Sequence, residues 1–226
     1  MKKELNNMVI NYTDKDLNYI EEMSKIIEPL SKEIIDFFGI EKIEPKIEIY
    51  LYDSLAKFRE KYIQLGYRLN KDGTVPSWVC GFAYNYTEVY TLCLEEYRKT
   101  SCHENENLRD LEYLILHEFL HSCYWYFIRN KNNNYNCTAW LSEGIATTLS
   151  HQYDNEDLVF NASLEEMENG CQNYSNYYLM FVYILNKYGK DYILNLIKDS
   201  DKAIKMTPKL YEETREYYSK KSKEFL

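Results

Sequence analysis

The sequence predicts an α+β fold: a small mixed β-sheet with an edge strand, beside a mainly helical half. Three stretches carry that reading. In Lys46-Ile47-Glu48-Ile49-Tyr50-Leu51-Tyr52, apolar residues alternate with polar or aromatic ones, the pattern of a strand with one buried face. Val79 to Leu94 has the composition of two more strands joined at residues 84–87. Further on the period changes: Leu108, Leu111, Leu114, Ile115, Phe119 and Tyr126 recur at three- and four-residue intervals, as do Tyr177, Met180, Phe181, Ile184, Leu185 and Tyr188. That is the spacing of buried helices.

Taken in order, Met8-Val9-Ile10 predicts a short strand. Thr13 with Asp16, or Asp14 itself, can cap the helix that follows through Leu17, Ile20, Ile27, Leu30, Ile34 and Phe38. Pro29 predicts a kink or break in it, and Gly39 its end. Asp53-Ser54 can cap a helix through Leu55, Phe58 and Tyr62 that ends near Gly66. Residues 67–77, with Gly73 and Pro76, read as a loop. The polar run from Glu104 to Asp110 opens a helix reaching about Ile128. Arg129 to Thr138 is a loop short enough to return a helix over Trp140–Ser150 antiparallel to it. Gly170 begins another connection, Gly189 ends the Tyr177 helix, and Tyr192, Leu194 and Ile197 follow. From Asp199 apolar residues are sparse, which predicts a solvated terminal helix. The expectation is one domain over residues 1–226: an α/β part to about 100, a helical part from 104 to 198, and a charged helix after 199.

With 226 residues, 45% hydrophobic and 28% charged, the chain can bury a sizeable core. A net charge of −9 speaks against nucleic acid or an anionic membrane as the main partner. No apolar run reaches the length of a signal peptide or a membrane span, which predicts a cytoplasmic protein. Cys80, Cys93, Cys102, Cys123, Cys137 and Cys171 form no C-x-x-C pair and read as reduced, mostly buried thiols. The sequence is silent on oligomeric state.

One pentapeptide carries chemistry. His117-Glu118-Phe119-Leu120-His121 reads H-E-x-x-H within the helical pattern. Residues four apart on a helix face the same way with Cβ atoms roughly 6 Å apart, a fit span for two imidazoles gripping one small cation. Glu118 lies about 100° further round, where it can take a proton from water instead of joining the ligands. With only 4 histidines in the chain, this composition yields the pattern about once in a hundred shuffles. The plainer alternative is a buried helix whose histidines are merely hydrogen-bonded. Catalytic zinc sites carry three protein ligands. Glu143, 22 residues past His121 in Trp140-Leu141-Ser142-Glu143-Gly144-Ile145-Ala146, is the first later carboxylate inside an apolar helical segment.

These two segments resemble the gluzincin metallopeptidases, in which H-E-x-x-H is followed on a second helix by a glutamate ligand. The second segment looks like the W-L-x-E-G-x-A stretch of M1-type aminopeptidases and of compact peptidase MA-like domains. The resemblance covers about residues 45–190. It implies a zincin-like fold, one Zn2+ per chain held by His117, His121 and Glu143, Glu118 as general base, and a peptide or protein substrate. It also implies that an edge strand holds that substrate, and Gly81-Phe82-Ala83 is the stretch that aligns with it; a plain structural hairpin is the competing reading. Gluzincins set a tyrosine or histidine against the developing oxyanion. Tyr174 stands in a similar place, with Tyr177, Tyr178 and His151 as alternatives. One departure is Thr147, where thermolysin-like relatives have an aspartate that orients the first histidine. No G-x-M-E-N exopeptidase motif occurs, which favours endopeptidase or oligopeptidase action.

Two functions follow from these residues. The first is a zinc-dependent peptidase. The second is a non-enzymatic, zinc-stabilised peptidase-like binding domain, which would want a fourth ligand such as Cys123 or Cys137 and would have no use for Glu118. His103, set among Glu104 and Glu106, reads as a solvated surface residue.

Overall fold

The computed structural model describes residues 1–100, 105–129, 138–154, 156–169 and 173–224, and the chain divides into two compact units, Met1–Tyr126 and Phe127–Leu226. The protein is α+β. In the first unit a five-stranded mixed sheet is built from β1 (Lys2–Glu4), β2 (Met8–Asn11), β3 (Ile47–Tyr52), β4 (Gly81–Tyr84) and β5 (Glu88–Leu92). Their order across the sheet is β1-β2-β3-β5-β4. The inner three strands run parallel, with Ile10 beside Ile49 and Ile49 beside Val89. The outer two are antiparallel to their neighbours. Parallel neighbours need a crossover. Helix α1 (Ile20–Phe38) lies between β2 and β3 in the chain, and α2 (Leu55–Gln64) between β3 and β5.

Ile47, Ile49 and Leu51 are buried on one face of β3, as the alternation predicts. On the other face Tyr50 stacks on Tyr90, with ring centroids 5.1 Å apart. Ser54 caps α2, its hydroxyl accepting from the Lys57 N–H. Gly39 ends α1 in the left-handed conformation (φ 65°).

The start of α1 differs from expectation. Thr13 and Asp16 form their capping box around a short 3-10 turn, Asp14–Asp16, and α1 begins only at Ile20. Asp16 is fully buried, accepting from the Thr13 N–H and from the Tyr19 hydroxyl, and that hydroxyl accepts from the Leu94 N–H (3.0 Å), so Asp16 serves the tertiary structure as well as the cap. Pro29 does not break α1. It lies on the exposed side above Lys25, so water can satisfy the carbonyl that a proline nitrogen leaves unbonded. The sequence reading also missed β1 and the short helix α3 (Leu94–Tyr97), which are too brief to show a period.

Helix α3 contributes a polar tie. Glu96 accepts from Lys99 Nζ (2.7 Å), from the Leu55 N–H (3.3 Å) and from Lys15 Nζ (3.3 Å). The Lys99 ammonium, with the Leu55 and Lys15 contacts, holds the carboxyl below the ordinary glutamate value against the opposing effect of burial. A carboxyl with a depressed folded pKa contributes stability above its unfolded value, 4.5, and loses it as pH falls through the folded one. The wild-type urea midpoint should therefore drop between about pH 5 and 3 by more than that of Glu96→Gln. Parallel curves for the two proteins would count against this account.

The long helix α4 (Leu108–Ile128) closes the first unit. Leu111, Ile115, Leu116, Phe119 and Leu120 on it are fully buried. The second unit is helical: α5 (Ala139–Leu149), α6 (Leu164–Asn169), α7 (Tyr174–Tyr188), α8 (Lys190–Lys198) and α9 (Ser200–Glu224). Helix α6, six residues long, was not anticipated.

The last helix is less solvated than its charge suggests. Ala203, Thr207, Leu210, Tyr211 and Thr214 are buried along one face. Thr207 and Thr214 donate their hydroxyls to the carbonyls of Ala203 (2.9 Å) and Leu210 (2.7 Å), which lets them present methyl groups to the core. The Trp140 indole N–H donates to Thr207 Oγ1 (2.9 Å), and the Tyr211 hydroxyl to the Ala162 carbonyl (3.0 Å). Among the described residues, no helix is long and apolar enough to cross a membrane.

Candidate metal centre

Helix α4 carries His117 and His121 one turn apart. Their Nε2 atoms lie 3.1 Å from each other, with ring planes at 80°. Two ring nitrogens at that distance can share one small cation. His117 is buried and His121 half-buried. Glu143, on α5, supplies a carboxylate oxygen, and the ligand atoms of His117, His121 and Glu143 all lie within 4.8 Å of one another.

These three residues can hold a metal ion. Tetrahedral ligands at about 2.0–2.1 Å sit about 3.3 Å apart, close to the separation of the two imidazole nitrogens. Two nitrogens and one carboxylate oxygen also form a donor set that suits zinc.

The shape of α5 near Glu143 depends on the next residue. A Cβ on Gly144 would stand 2.7 Å from the Tyr177 carbonyl oxygen and 2.8 Å from Phe181 Cβ. Only glycine lets α5 and α7 approach so closely. Thr147, one turn on, is fully buried and donates to the carbonyls of Glu143 (2.8 Å) and Gly144 (3.1 Å). Thr147 thus steadies the helix backbone that carries Glu143.

Glu118 is 8% exposed and not one of the three clustered ligands. It lies against the sheet edge, where a Cβ on Gly81 would meet Glu118 Cγ at 3.0 Å and Oε1 at 3.3 Å. Strand β4 is the edge of the sheet among the described residues. Gly81, Phe82 and Ala83 all lie in it, but they are not equivalent. The Leu92 N–H donates to the Cys80 carbonyl, which makes 80 and 92 a hydrogen-bonded pair. Pairs alternate along an antiparallel ladder. Phe82 therefore turns its backbone groups inward to Tyr90, while Gly81 and Ala83 turn theirs to the outer edge. The Phe82 side chain is buried, packed against Phe58, Tyr62, Tyr67 and Tyr90 at 5.0–5.2 Å.

Tyr67 was not picked out from the sequence. Its hydroxyl donates to the Ala83 carbonyl. Burial first, and then the charge of Glu118, push its phenol well above the ordinary tyrosine range. It stands just after Gly66, which ends the turn beyond α2 at φ 79°. In a chain with 24 tyrosines, nothing in the residue type singled it out.

The oxyanion candidates separate. Tyr174 opens α7, half-buried and edge-on to Tyr177 at 6.3 Å. Tyr177 is a core residue, 1% exposed, its hydroxyl donating to the Glu166 carbonyl (3.3 Å). The Tyr178 hydroxyl donates to Asp154 Oδ1 (3.4 Å). His151 lies beyond the helix that carries Glu143, because α5 stops at Leu149. It takes a left-handed conformation (φ 64°) just past the end, with Nδ1 2.5 Å from Asp154 Oδ2.

Cys80, Cys93 and Cys123 are buried and in no disulfide. Burial pushes the Cys123 thiol up, and it is no part of the metal group. Cys102, His103, the Arg129–Thr138 loop's residues 130–137 with Cys137, and the connection at Gly170 with Cys171 lie outside the described residues. No family model, curated protein or solved structure matches this chain.

Proposed function

We infer that the chain is a zinc-dependent peptidase of the gluzincin type. The observation that carries the reading is the convergence of His117, His121 and Glu143, with a fourth residue, Glu118, buried on the same helix but outside that group. A purely structural site has no need of that second carboxylate. When bound, the ion would polarise a peptide carbonyl and bring the pKa of a water toward about 7.

The chain's own residues account for the other parts. Glu118 takes the proton of the attacking water and passes it to the leaving amine. Gly81, with backbone groups on the outer edge of β4 and its α-carbon against Glu118, aligns an extended peptide beside the base. Tyr174, half-buried at the start of α7, is the candidate to donate to the developing oxyanion.

Tyr174→Phe should lower kcat and kcat/KM together by roughly a hundredfold while sparing metal affinity and KM, the signature of one donor used only in the transition state. Tyr177→Phe should instead cost about 1 kcal/mol of stability and little rate. An unchanged kcat in Tyr174→Phe moves the role to another group.

The reading as a whole is tested by elemental analysis of the purified protein together with a fluorogenic peptide library. About one zinc per chain and chelator-sensitive cleavage are expected. Stoichiometric zinc with no cleavage across the library would favour the zinc-stabilised binding domain. Absence of metal would remove both readings.

A further inference from the structure

The edge of β4 offers a peptide two docking stations, Gly81 and Ala83, whose backbone groups face away from β5. Two residues along a strand are roughly 6.7 Å, the spacing at which a paired peptide repeats its hydrogen bonds. The second station is already engaged, because the Tyr67 hydroxyl donates to the Ala83 carbonyl. The ring reaches that carbonyl from the face of the sheet opposite Glu118. It stacks on Tyr62 at 4.9 Å and leans on Phe82 at 5.0 Å, whereas the Gly81 α-carbon faces Glu118. Ala83 is 5% exposed, and Gly81 is half-buried. The turn at Gly66 fixes the approach: the Tyr67 N–H donates to the Tyr62 carbonyl, and the Tyr62 hydroxyl to the Arg68 carbonyl. Tyr67 is thus held from both sides of the chain and wraps over the strand edge.

We propose that Tyr67 caps the substrate edge and restricts the site to short peptides, which pair with β4 through Gly81 and end before or turn away at Ala83. This rests on the peptidase reading above and adds a substrate class to it: oligopeptides, in preference to long extended chains. A peptide running along the edge past Gly81 finds the next acceptor already taken by the Tyr67 hydroxyl. The influence of the Glu118 charge on the phenol agrees with this placement, since it puts the cap and the base in one neighbourhood. Tyr67 acts on which peptides fit and takes no part in proton transfer.

The test reads binding, so turnover is not needed. The probe is a fluorescein-labelled, end-blocked heptapeptide of alanine and leucine, with each backbone nitrogen methylated in turn. Affinity is measured by anisotropy on zinc-loaded full-length Glu118→Gln protein. With Tyr67 present, methylation of one nitrogen, the one that meets the Gly81 carbonyl, should weaken binding about fivefold, the worth of one net hydrogen bond. Methylation two residues away on either side should change nothing. In Glu118→Gln/Tyr67→Phe the ring is kept and the carbonyl freed, so one of those neighbouring positions should become sensitive by about fivefold. Two sensitive positions two residues apart with Tyr67 intact would overturn the cap, even if the phenylalanine variant failed to fold. So would a scan that Tyr67→Phe leaves unchanged. Failure of the unmethylated peptide and of a longer fifteen-residue version to bind at all would overturn the peptidase reading instead, and the cap with it.

Discussion

Replacing His121 by alanine should empty the metal site. Partners that only touch a ligand are worth ten- to a hundredfold in metal affinity, so losing one of three ligands should cost roughly a hundredfold or more. Zinc per chain, measured after gel filtration, should fall from about one to a small fraction. Stability provides a second readout. An ion at a hundred times its dissociation constant adds about 2.7 kcal/mol to a protein that binds it only when folded. At this chain length that corresponds to roughly 5–10 °C in Tm. A chelator should therefore lower the wild-type Tm by about that much and leave His121→Ala unmoved. Full zinc occupancy in the variant would remove His121 from the site. His117→Ala is expected to behave in the same way.

Glu118→Gln should do the opposite: keep the zinc and the fold, and lose the reaction. The substitution is nearly isosteric, and the side chain is not among the clustered ligand atoms. General acid–base transfer contributes about 10²–10⁴ in rate, so kcat should fall about a thousandfold, equivalent to roughly 4 kcal/mol of barrier. KM should change little, because the proton is moved only in the transition state. Wild-type kcat in this variant would exclude Glu118 as base. The pairing of the two variants matters more than either alone. Metal lost in one and retained in the other is the pattern expected if two neighbouring residues of one helix have separate duties.

Much of this was legible from local patterns. The alternation at Ile47, Ile49 and Leu51 marked a strand buried on one face, and the Gly39 and Ser54 caps bounded two helices. Each of those signals lies within a few residues of its effect. The misreadings arose where burial or exposure in the fold, and not residue type, set a residue's role. Asp16 looked like a helix cap and is also a buried anchor for Tyr19. Pro29 predicted a kink or a break, and α1 runs through it unbroken, since it stands where water can reach the unbonded carbonyl. The terminal helix looked solvated because its apolar residues are sparse, yet Thr207 and Thr214 are buried, their hydroxyls returned to their own helix.

By itself the sequence determined the α+β class, the helix on which His117, Glu118 and His121 sit, and the fact that the two histidines share a face. Helical and strand periods are properties of consecutive residues, so no tertiary information was needed for them. Only the tertiary structure decided that the Glu143 carboxylate comes within ligand distance of both imidazoles, that Gly81 lies against Glu118, and that Tyr67 occupies the Ala83 carbonyl. Those three contacts join residues 16 to 37 positions apart in the chain, Tyr67 to Ala83 and Gly81 to Glu118 marking the two ends of that range. No repeat of 2 or 3.6 extends across such gaps. Close packing across intervening elements selects which side chains meet, and it acts on shape and volume that no single segment carries.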